Sequence, residues 1–498
     1  MRHLSLIAIL FAACVATADD APSLAGQRPN IVWIIPDDMS ANFSCYGETA
    51  VETPNVDRLA ARGVQFTGAY VTAPVCSTCR SAFITGMYQT SIGAHHHRSG
   101  RGQQTIQLPD AIRLVPELFQ QAGYYTTISD WPPKGNRLGK TDYNFQWDPG
   151  VYDGSDWANR ADGQPFFAQL QTKGGKMRGK DSKGWESVAQ KAERKLGSRT
   201  STDAVKLPPY YPNHPDVVQD WAAYLDSVRL TDAMVGEVIN RLDREGVLDN
   251  TIVLFMTDHG ISHARGKQFL YDEGLHVPMV IAGPGIDAGT VRSDVVEHID
   301  IAALSLAAAG IPIPDYMQAK DILAADYQPR DAVFAARDRC DETVDHIRSV
   351  RTADFKYIRN FLPQRPYLQP CAYKDAKSIL IALRSWHEQG KLDDVQQLLF
   401  RQVRPAEELY DIHADPYEIH NLADDPAYAD QLVQMRTRLD DWMVRTDDKG
   451  RTPESVAMYD SDMKVYTDKL RGNESSSKQL GVIESNIAWM KKMAAEGK

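Results

Sequence analysis

The chain has 498 residues, 43% of them hydrophobic, and a formal net charge of −11. That length and apolar content support one large α/β domain with an appendage, or two to four smaller domains. The acidic balance excludes non-specific nucleic-acid binding, which needs a basic footprint; it does not exclude an anionic substrate, because a local cluster of Lys and Arg overrides the global sign.

Residues 1–18 read as a signal peptide, with Arg2 and His3, an apolar run from Leu4 to Val15, and a small-residue cleavage site at Ala16-Thr17-Ala18. The run is too short for an ordinary membrane span, and no later segment is long and apolar enough, so no integral span is expected. Export to the periplasm or the extracellular space follows. Phe11-Ala12-Ala13-Cys14 loosely resembles a lipoprotein box, which leaves a lipoprotein as an alternative. Cys14 is one of six cysteines, and its removal leaves an odd number, which suggests a free or modified thiol. Cys340 and Cys371 are a candidate pair.

Asn30 to Pro36, N-I-V-W-I-I-P, is a continuous apolar run that predicts a buried parallel strand. Asp37 and Asp38 follow at its end. Pro54 to Arg62 predicts a helix, with Pro in the first turn and Gly63 at the C-cap. Val64 to Tyr70 alternates like a strand. Leu114 to Gly123 predicts a helix and Tyr124 to Ser129 a strand. Lys173 to Lys206, rich in Lys, Gly and Ser, is expected to be a long loop. Asp216 to Glu245 carries a long helical pattern. Thr251 to Met256 predicts a second buried strand, with Asp258 and His259 just beyond it, and Val277 to Ile281 a third. Strands alternating with helices imply a doubly wound α/β sheet, which binds ligands beyond the carboxyl ends of its strands. The two acidic sites lie at such ends, more than 200 residues apart.

From about Asp331 short strands (Val350 to Arg351, Lys356 to Ile358) and a helix near 427–444 predict a smaller α+β unit. The expected division is a catalytic domain over 28–330, an α+β subdomain over 331–446 and a polar tail over 447–498, which contains the sequon Asn473-Glu474-Ser475.

The sharpest motif is Cys76-Ser77-Thr78-Cys79-Arg80-Ser81-Ala82-Phe83-Ile84-Thr85-Gly86. It resembles the signature of the type I, formylglycine-dependent sulfatases: Cys, any residue, Pro, Ser, Arg, then an apolar stretch ending in Thr-Gly. The resemblance extends over Pro29-Asn30-Ile31-Val32 to Asp37-Asp38, Thr53 to Ala60, Thr257-Asp258-His259-Gly260, Gly266-Lys267, Tyr271 to Gly274, and Glu408 to Asp411. The stretch from Glu408 to Trp442 is similar to the heparan N-sulfoglucosamine sulfohydrolases. A redox or zinc role for Cys76 and Cys79 lacks a second C-x-x-C or a spaced His pair.

The resemblance implies an alkaline phosphatase-like, doubly wound mixed sheet with a smaller C-terminal α+β subdomain. It implies that Cys76 is oxidised to formylglycine by a formylglycine-generating or anaerobic sulfatase-maturing enzyme. One oxygen of the hydrated aldehyde then attacks sulfur, and the other expels sulfate by collapse. It implies one Ca2+ ion held by Asp37, Asp38, modified Cys76, Asp258 and His259, with Arg80 orienting the nucleophile and Lys140 and Lys267 binding sulfate. Hard carboxylates suit such a cation. The substrate implied is a sulfate ester or sulfamate on a carbohydrate.

The sequence departs from the family at Thr78 and Cys79, where Pro and Ser are usual, and at Asp142 and Lys176, which replace two helper histidines. Asp142 is expected to accept a proton from the hydrated aldehyde. Lys176 is expected to bind sulfate, or to protonate the leaving oxygen if its pKa is lowered. His263 is a candidate contact for the leaving group. His95-His96-His97 reads as a loop triplet or a substrate contact, and Arg337 to Glu342 as a salt-bridged face or a sugar-binding rim. Two rival functions are a phosphatase or phosphonate hydrolase of the same superfamily and a non-catalytic binder of sulfated glycans.

Overall fold

The computed structural model describes residues 28–472 and 476–498. The expected signal peptide and the sequon lie outside the described residues. In chain order the strands are β1 (Asn30–Pro36), β2 (Gly63–Phe66), β3 (Ala69–Tyr70), β4 (Tyr125–Asp130), β5 (Phe166–Thr172), β6 (Thr251–Met256), β7 (Met279–Ala282), β8 (Thr290–Arg292), β9 (Val296–Glu297), β10 (Val333–Arg337), β11 (Ile347–Arg351), β12 (Phe355–Asn360) and β13 (Glu407–Asp411).

The main sheet runs β4-β5-β1-β6-β7-β2-β8. Strands β4, β5, β1 and β6 are parallel, and β7 pairs antiparallel with both β6 and β2. The sheet is therefore mixed, in an alkaline phosphatase-like fold. Strand side chains alternate between faces. On β1, Ile31, Trp33 and Ile35 enter one apolar core while Val32 and Ile34 enter the other. Both faces are buried, which is why the run is continuously apolar. Helix Pro215–Arg244 covers one face, and Trp33 Nε1 donates to Ser305 Oγ of helix Asp300–Ala308 on the other at 2.9 Å.

Strands β10 to β13 form a separate antiparallel sheet. Helix Ala429–Arg445 closes it through Trp442, whose ring stacks on Phe334 at 5.1 Å and meets Tyr88 edge-on.

Two stretches differ from the sequence reading. The expected loop over 173–206 contains helix Ser182–Leu196, capped by Asp181. Its Trp185, Val188 and Ala192 recur at helical spacing and pack on Ala223 and Leu230, a stripe that the Lys and Gly content disguised. The expected polar tail contains helices Val456–Asp468 and Ser477–Ala495, joined through Tyr459, Met463 and Met490. Among the described residues no helix is long and apolar enough to cross a membrane.

Candidate active site

The site forms where β1 and β6 end side by side. Asp258 N donates to the Pro36 carbonyl at 3.0 Å, and Asp38 N to Asp258 Oδ1 at 3.0 Å. Asp38 takes a left-handed backbone, φ 56°, which turns it away from its neighbour. Asp37 faces Arg80, Lys140 and Lys176, while Asp38 faces Cys76, His259 and Lys267.

Helix Cys76–Thr85 points its first turn at these strand ends. Thr78, where the family has Pro, returns its hydroxyl to the Val75 carbonyl at 2.8 Å, and the Cys79 thiol donates to the Asp258 carbonyl. Both departures thus brace the turn that presents Cys76. The Cys76 Sγ lies 3.1 Å from His259 Nε2, 3.1 Å from Lys267 Nζ, 3.3 Å from Lys176 Nζ and 3.7 Å from Asp38 Oδ1. Burial alone would raise this thiol, but Lys140, Lys176 and Lys267 hold it well below its usual value.

Arg80 is fully buried; it pairs with Asp37, reaches Asp258 Oδ2 at 3.3 Å and donates to Gln171 Oε1 at 2.5 Å. Lys140 Nζ sits 3.0 Å from Asp37 Oδ2. Lys176 arrives on the short turn Gly174–Arg178, which must approach the end of β1 closely. A Cβ on Gly174 or Gly175 would lie 2.2 Å from the carbonyl of Asp37 or Asp38. Only glycine fits there, and Lys176 Nζ thereby reaches Asp37 Oδ2 at 2.7 Å. Burial would lower the pKa of Lys176, but Asp38, Cys76 and Asp37 raise it well above the usual value. The condition for Lys176 to protonate the leaving oxygen, a lowered pKa, is not met, because its carboxylate neighbours favour the charged form.

Two further expectations are corrected. Asp142 makes no hydrogen bond to Cys76; it accepts from Arg101 Nη2 at 2.8 Å and lies 3.7 Å from Lys140 Nζ. Burial would raise its carboxyl, but Lys140, Arg101 and Arg98 hold it below the usual value, which weakens it as a base. His263 is 1% exposed, its Nε2 committed to Asp220 at 2.5 Å and its ring among Trp221, Tyr224 and Tyr211. Asp220 also takes Arg178 at 3.0 Å, so His263 belongs to the buttress behind Lys176, not to the leaving-group side.

The ligand atoms of Asp38, Cys76, Asp258 and His259 all lie within 4.8 Å of one another, fully buried. His259 Nδ1 meets the Gly260 carbonyl at 2.8 Å. An N–H on Nδ1 is therefore fixed by that carbonyl, and loss of the Nε2 proton would turn a lone pair to the cluster, the form a metal ligand needs. Asp258 is pushed up to about 7 by burial and by Asp37; His259 is raised to about 10 by Asp258 and Cys76 against burial. Two carboxylates and an imidazole fit a divalent cation, and Asp37 stands outside this group, against the cations.

The triplet His95-His96-His97 is buried, not superficial. Only His97 reaches the signature helix, with Nδ1 2.7 Å from Ser77 Oγ. Cys340 and Cys371 are free thiols, with Gln268 Nε2 at 3.1 and 3.6 Å. Sequence reasoning missed Tyr373, whose hydroxyl lies 3.5 Å from Asp38 Oδ2 and whose ring underlies Lys267. No motif marks it, because it comes from the short helix Ala372–Asp375, far along the chain from the motifs.

A thiol ringed by cations beside a buried acidic cluster, at the carboxyl edge of such a sheet, defines a hydrolase of small anionic esters. The chain belongs to the sulfatase family: the model described as Sulfatase matches residues 29–311, and that described as N-sulphoglucosamine sulphohydrolase, C-terminal, matches 259–367. It is thus a sulfuric ester hydrolase. An ulvan-active sulfatase of Formosa agariphila is 33% identical over 86% of this chain and 77% of its own. The human N-sulphoglucosamine sulphohydrolase is 26% identical over 85% and 92%. A structure solved in complex with its substrate D-glucosamine-2-N,6-O-disulfate superposes with a TM-score of 0.57 at 19% identity, covering 88% of this chain and all of that one.

Proposed function

We propose that this chain is an exported sulfatase that hydrolyses a sulfate ester or sulfamate on a carbohydrate, through formylglycine at position 76 and one Ca2+ ion. The observation that carries this reading is the placement of Cys76 Sγ between Lys176, Lys267 and the Asp38–Asp258–His259 cluster. The sugar enters from the relatives, whose names specify ulvan and N-sulphoglucosamine.

Asp38, Asp258, His259 and the oxygen that replaces Sγ would hold the cation, which supplies Lewis-acid polarisation of the sulfate. The Cys76 thiol stands in for the aldehyde hydrate, whose two oxygens provide attack on sulfur and an exit by collapse. Lys267 and Lys176 neutralise the non-bridging sulfate oxygens as charge builds, and Lys140 does so from the rim. Arg80 fixes Asp37 and the signature helix. The raised pKa of Lys176 assigns it to charge stabilisation, and a hydroxyl from solvent or substrate is left to carry the proton to the leaving oxygen.

Co-expression with a formylglycine-generating or anaerobic maturing enzyme, followed by a screen of sulfated monosaccharides and ulvan, tests the reading. Sulfate release that EDTA abolishes and Ca2+ restores is expected. Release of phosphate from phosphate esters in preference to sulfate, or binding without any release, would replace it. Amino-terminal sequencing of secreted material, with cleavage after Ala18 expected, tests export.

A further inference from the structure

The rim of the site holds a mostly buried carboxylate, Asp341, that no protein donor reaches. Asp341 lies in the tight turn between β10 and β11, with a left-handed φ of 51° and a side chain only 8% exposed. No hydrogen-bond donor reaches its carboxylate. Its nearest charged neighbours are His97 Nε2 at 3.7 Å and Arg98 Nη1 at 3.8 Å. Buried polar groups are nearly always paired, and strained backbone persists only where its surroundings impose it.

Those surroundings are visible. Arg339 is pinned by Glu454 at 2.7 Å and Asp462 at 2.6 Å, and its Nη1 donates to the Asp341 carbonyl at 3.0 Å. Glu342 accepts from Asn486 Nδ2 at 2.8 Å and Ala372 N at 2.6 Å. Asp462 and Asn486 come from the two C-terminal helices. Arg339 and Oε1 of Glu342 are thus committed; Glu342 Oε2 has no partner but is sealed inside, and the Asp341 carboxylate has no donor within hydrogen-bond distance.

Its position is defined by two chains of contact. His97 links it to Ser77, the residue after Cys76. Arg98, half exposed, lies 3.8 Å from both Asp341 and Asp142, and Asp142 lies 3.7 Å from Lys140. A row of alternating charge therefore leads outward from Lys140, the rim cation of the sulfate site, to Asp341.

His97, Cys340 and Asp341 offer ligand atoms within 4.8 Å of one another, which raises a metal as the occupant. The electrostatics oppose it. Burial and then Arg98, Lys267, Arg101 and Lys140 hold the His97 imidazole well below its usual pKa, so a cation there would face four others. Gln268 already donates to the Cys340 sulfur at 3.1 Å. A neutral donor meets neither obstacle.

We propose that Asp341, flanked by Arg98, is a specificity-determining residue that accepts a hydrogen bond from a ring hydroxyl or N–H of the sugar carrying the sulfate. The proposal rests on the sulfatase reading above.

The test uses the matured full chain, its Asp341→Ala and Asp341→Asn variants, and three probes: D-glucosamine 2-N-sulfate, N-acetylgalactosamine 6-sulfate and sulfated monosaccharides from ulvan, each beside analogues lacking one ring donor. For the probe turned over, one analogue is expected to lose about 100-fold in kcat/KM on the wild type and almost nothing more on Asp341→Ala. Asp341→Asn, which keeps the shape and one acceptor oxygen, is expected to recover part of the loss. A variant that lowers every analogue by one common factor, or none, overturns the proposal, as does one equivalent of Zn2+ bound by the wild type and lost in Asp341→Ala. A wild type that releases sulfate from no probe overturns the sulfatase reading itself, and that result appears before any variant is made.

Discussion

The floor and the rim of the site are built differently. The floor (Asp37, Asp38, Cys76, Arg80, Asp258, His259 and Lys267) comes from strand ends, one helix start and a short loop, tied by backbone bonds such as Asp258 N to Pro36 O. The rim comes from three residues with positive φ, Arg98, Asp142 and Asp341, and from Tyr373 on the short helix Ala372–Asp375, and is braced by the buried pairs of Arg339 with Glu454 and Asp462 in the C-terminal segment. Rigid strand ends suit a reaction common to many sulfates. Turns held by replaceable pairs suit a choice among sugars.

The contrast predicts unequal effects. Cys76→Ala removes the nucleophile and is expected to lower kcat by about 10⁴-fold or more, with circular dichroism and melting behaviour retained. Lys176→Met removes a cation from the floor and is expected to cost about 10²-fold in kcat with a smaller change in KM; an unchanged kcat would return Lys176 to a structural role. Arg339→Met acts on the rim from behind. It strands Glu454 and Asp462, buried acids that otherwise pair with it, and should cost about 3–5 kcal/mol, read as a fall in melting temperature, with KM for the sugar raised more than kcat is lowered.

The smallest effect is on pH dependence. His298 accepts from Thr72 N on Nδ1, so its Nε2–H faces the Cys79 carbonyl at 3.2 Å. Burial pushes its pKa down from 6.5 to about 3. The unfolded chain therefore takes up a proton in that window and the folded chain does not, so stability is full above 6.5 and is lost as pH falls towards 3. The slope from this residue is up to about 1.4 kcal/mol per pH unit. His298→Gln should melt lower at neutral pH but lose less on acidification; an unchanged acid slope would place the loss at other buried histidines.

Much of the floor was legible because its residues lie in contiguous motifs next to apolar runs: N-I-V-W-I-I-P before Asp37-Asp38 and T-I-V-L-F-M before Asp258-His259. Position relative to a strand end fixes where such a side chain goes. What the motifs did not show was the division of labour between Asp37 and Asp38, which depends on one left-handed residue. Lys176 was found by counting, but its charge state depends on carboxylates from β1. Asp142 and His263 were misread because spacing gives proximity in the chain, not the Arg101 and Asp220 that claim them. Asp341 was seen only as part of a charge-dense run. Arg339 and Glu342 pair with residues more than 100 positions away, and which acceptors are left without a donor cannot be told from the string. The helix Ser182–Leu196 was hidden by composition although its apolar spacing was there to be read.

The central claim is that the cation-ringed group at position 76 acts as an aldehyde hydrate. Mass spectrometry of the tryptic peptide spanning Cys76, after co-expression with a maturing enzyme, tests it directly. The account predicts a loss of about 18 Da located at Cys76, from replacement of the thiol by an aldehyde. An unmodified Cys76, under conditions that convert a control sulfatase, would contradict it.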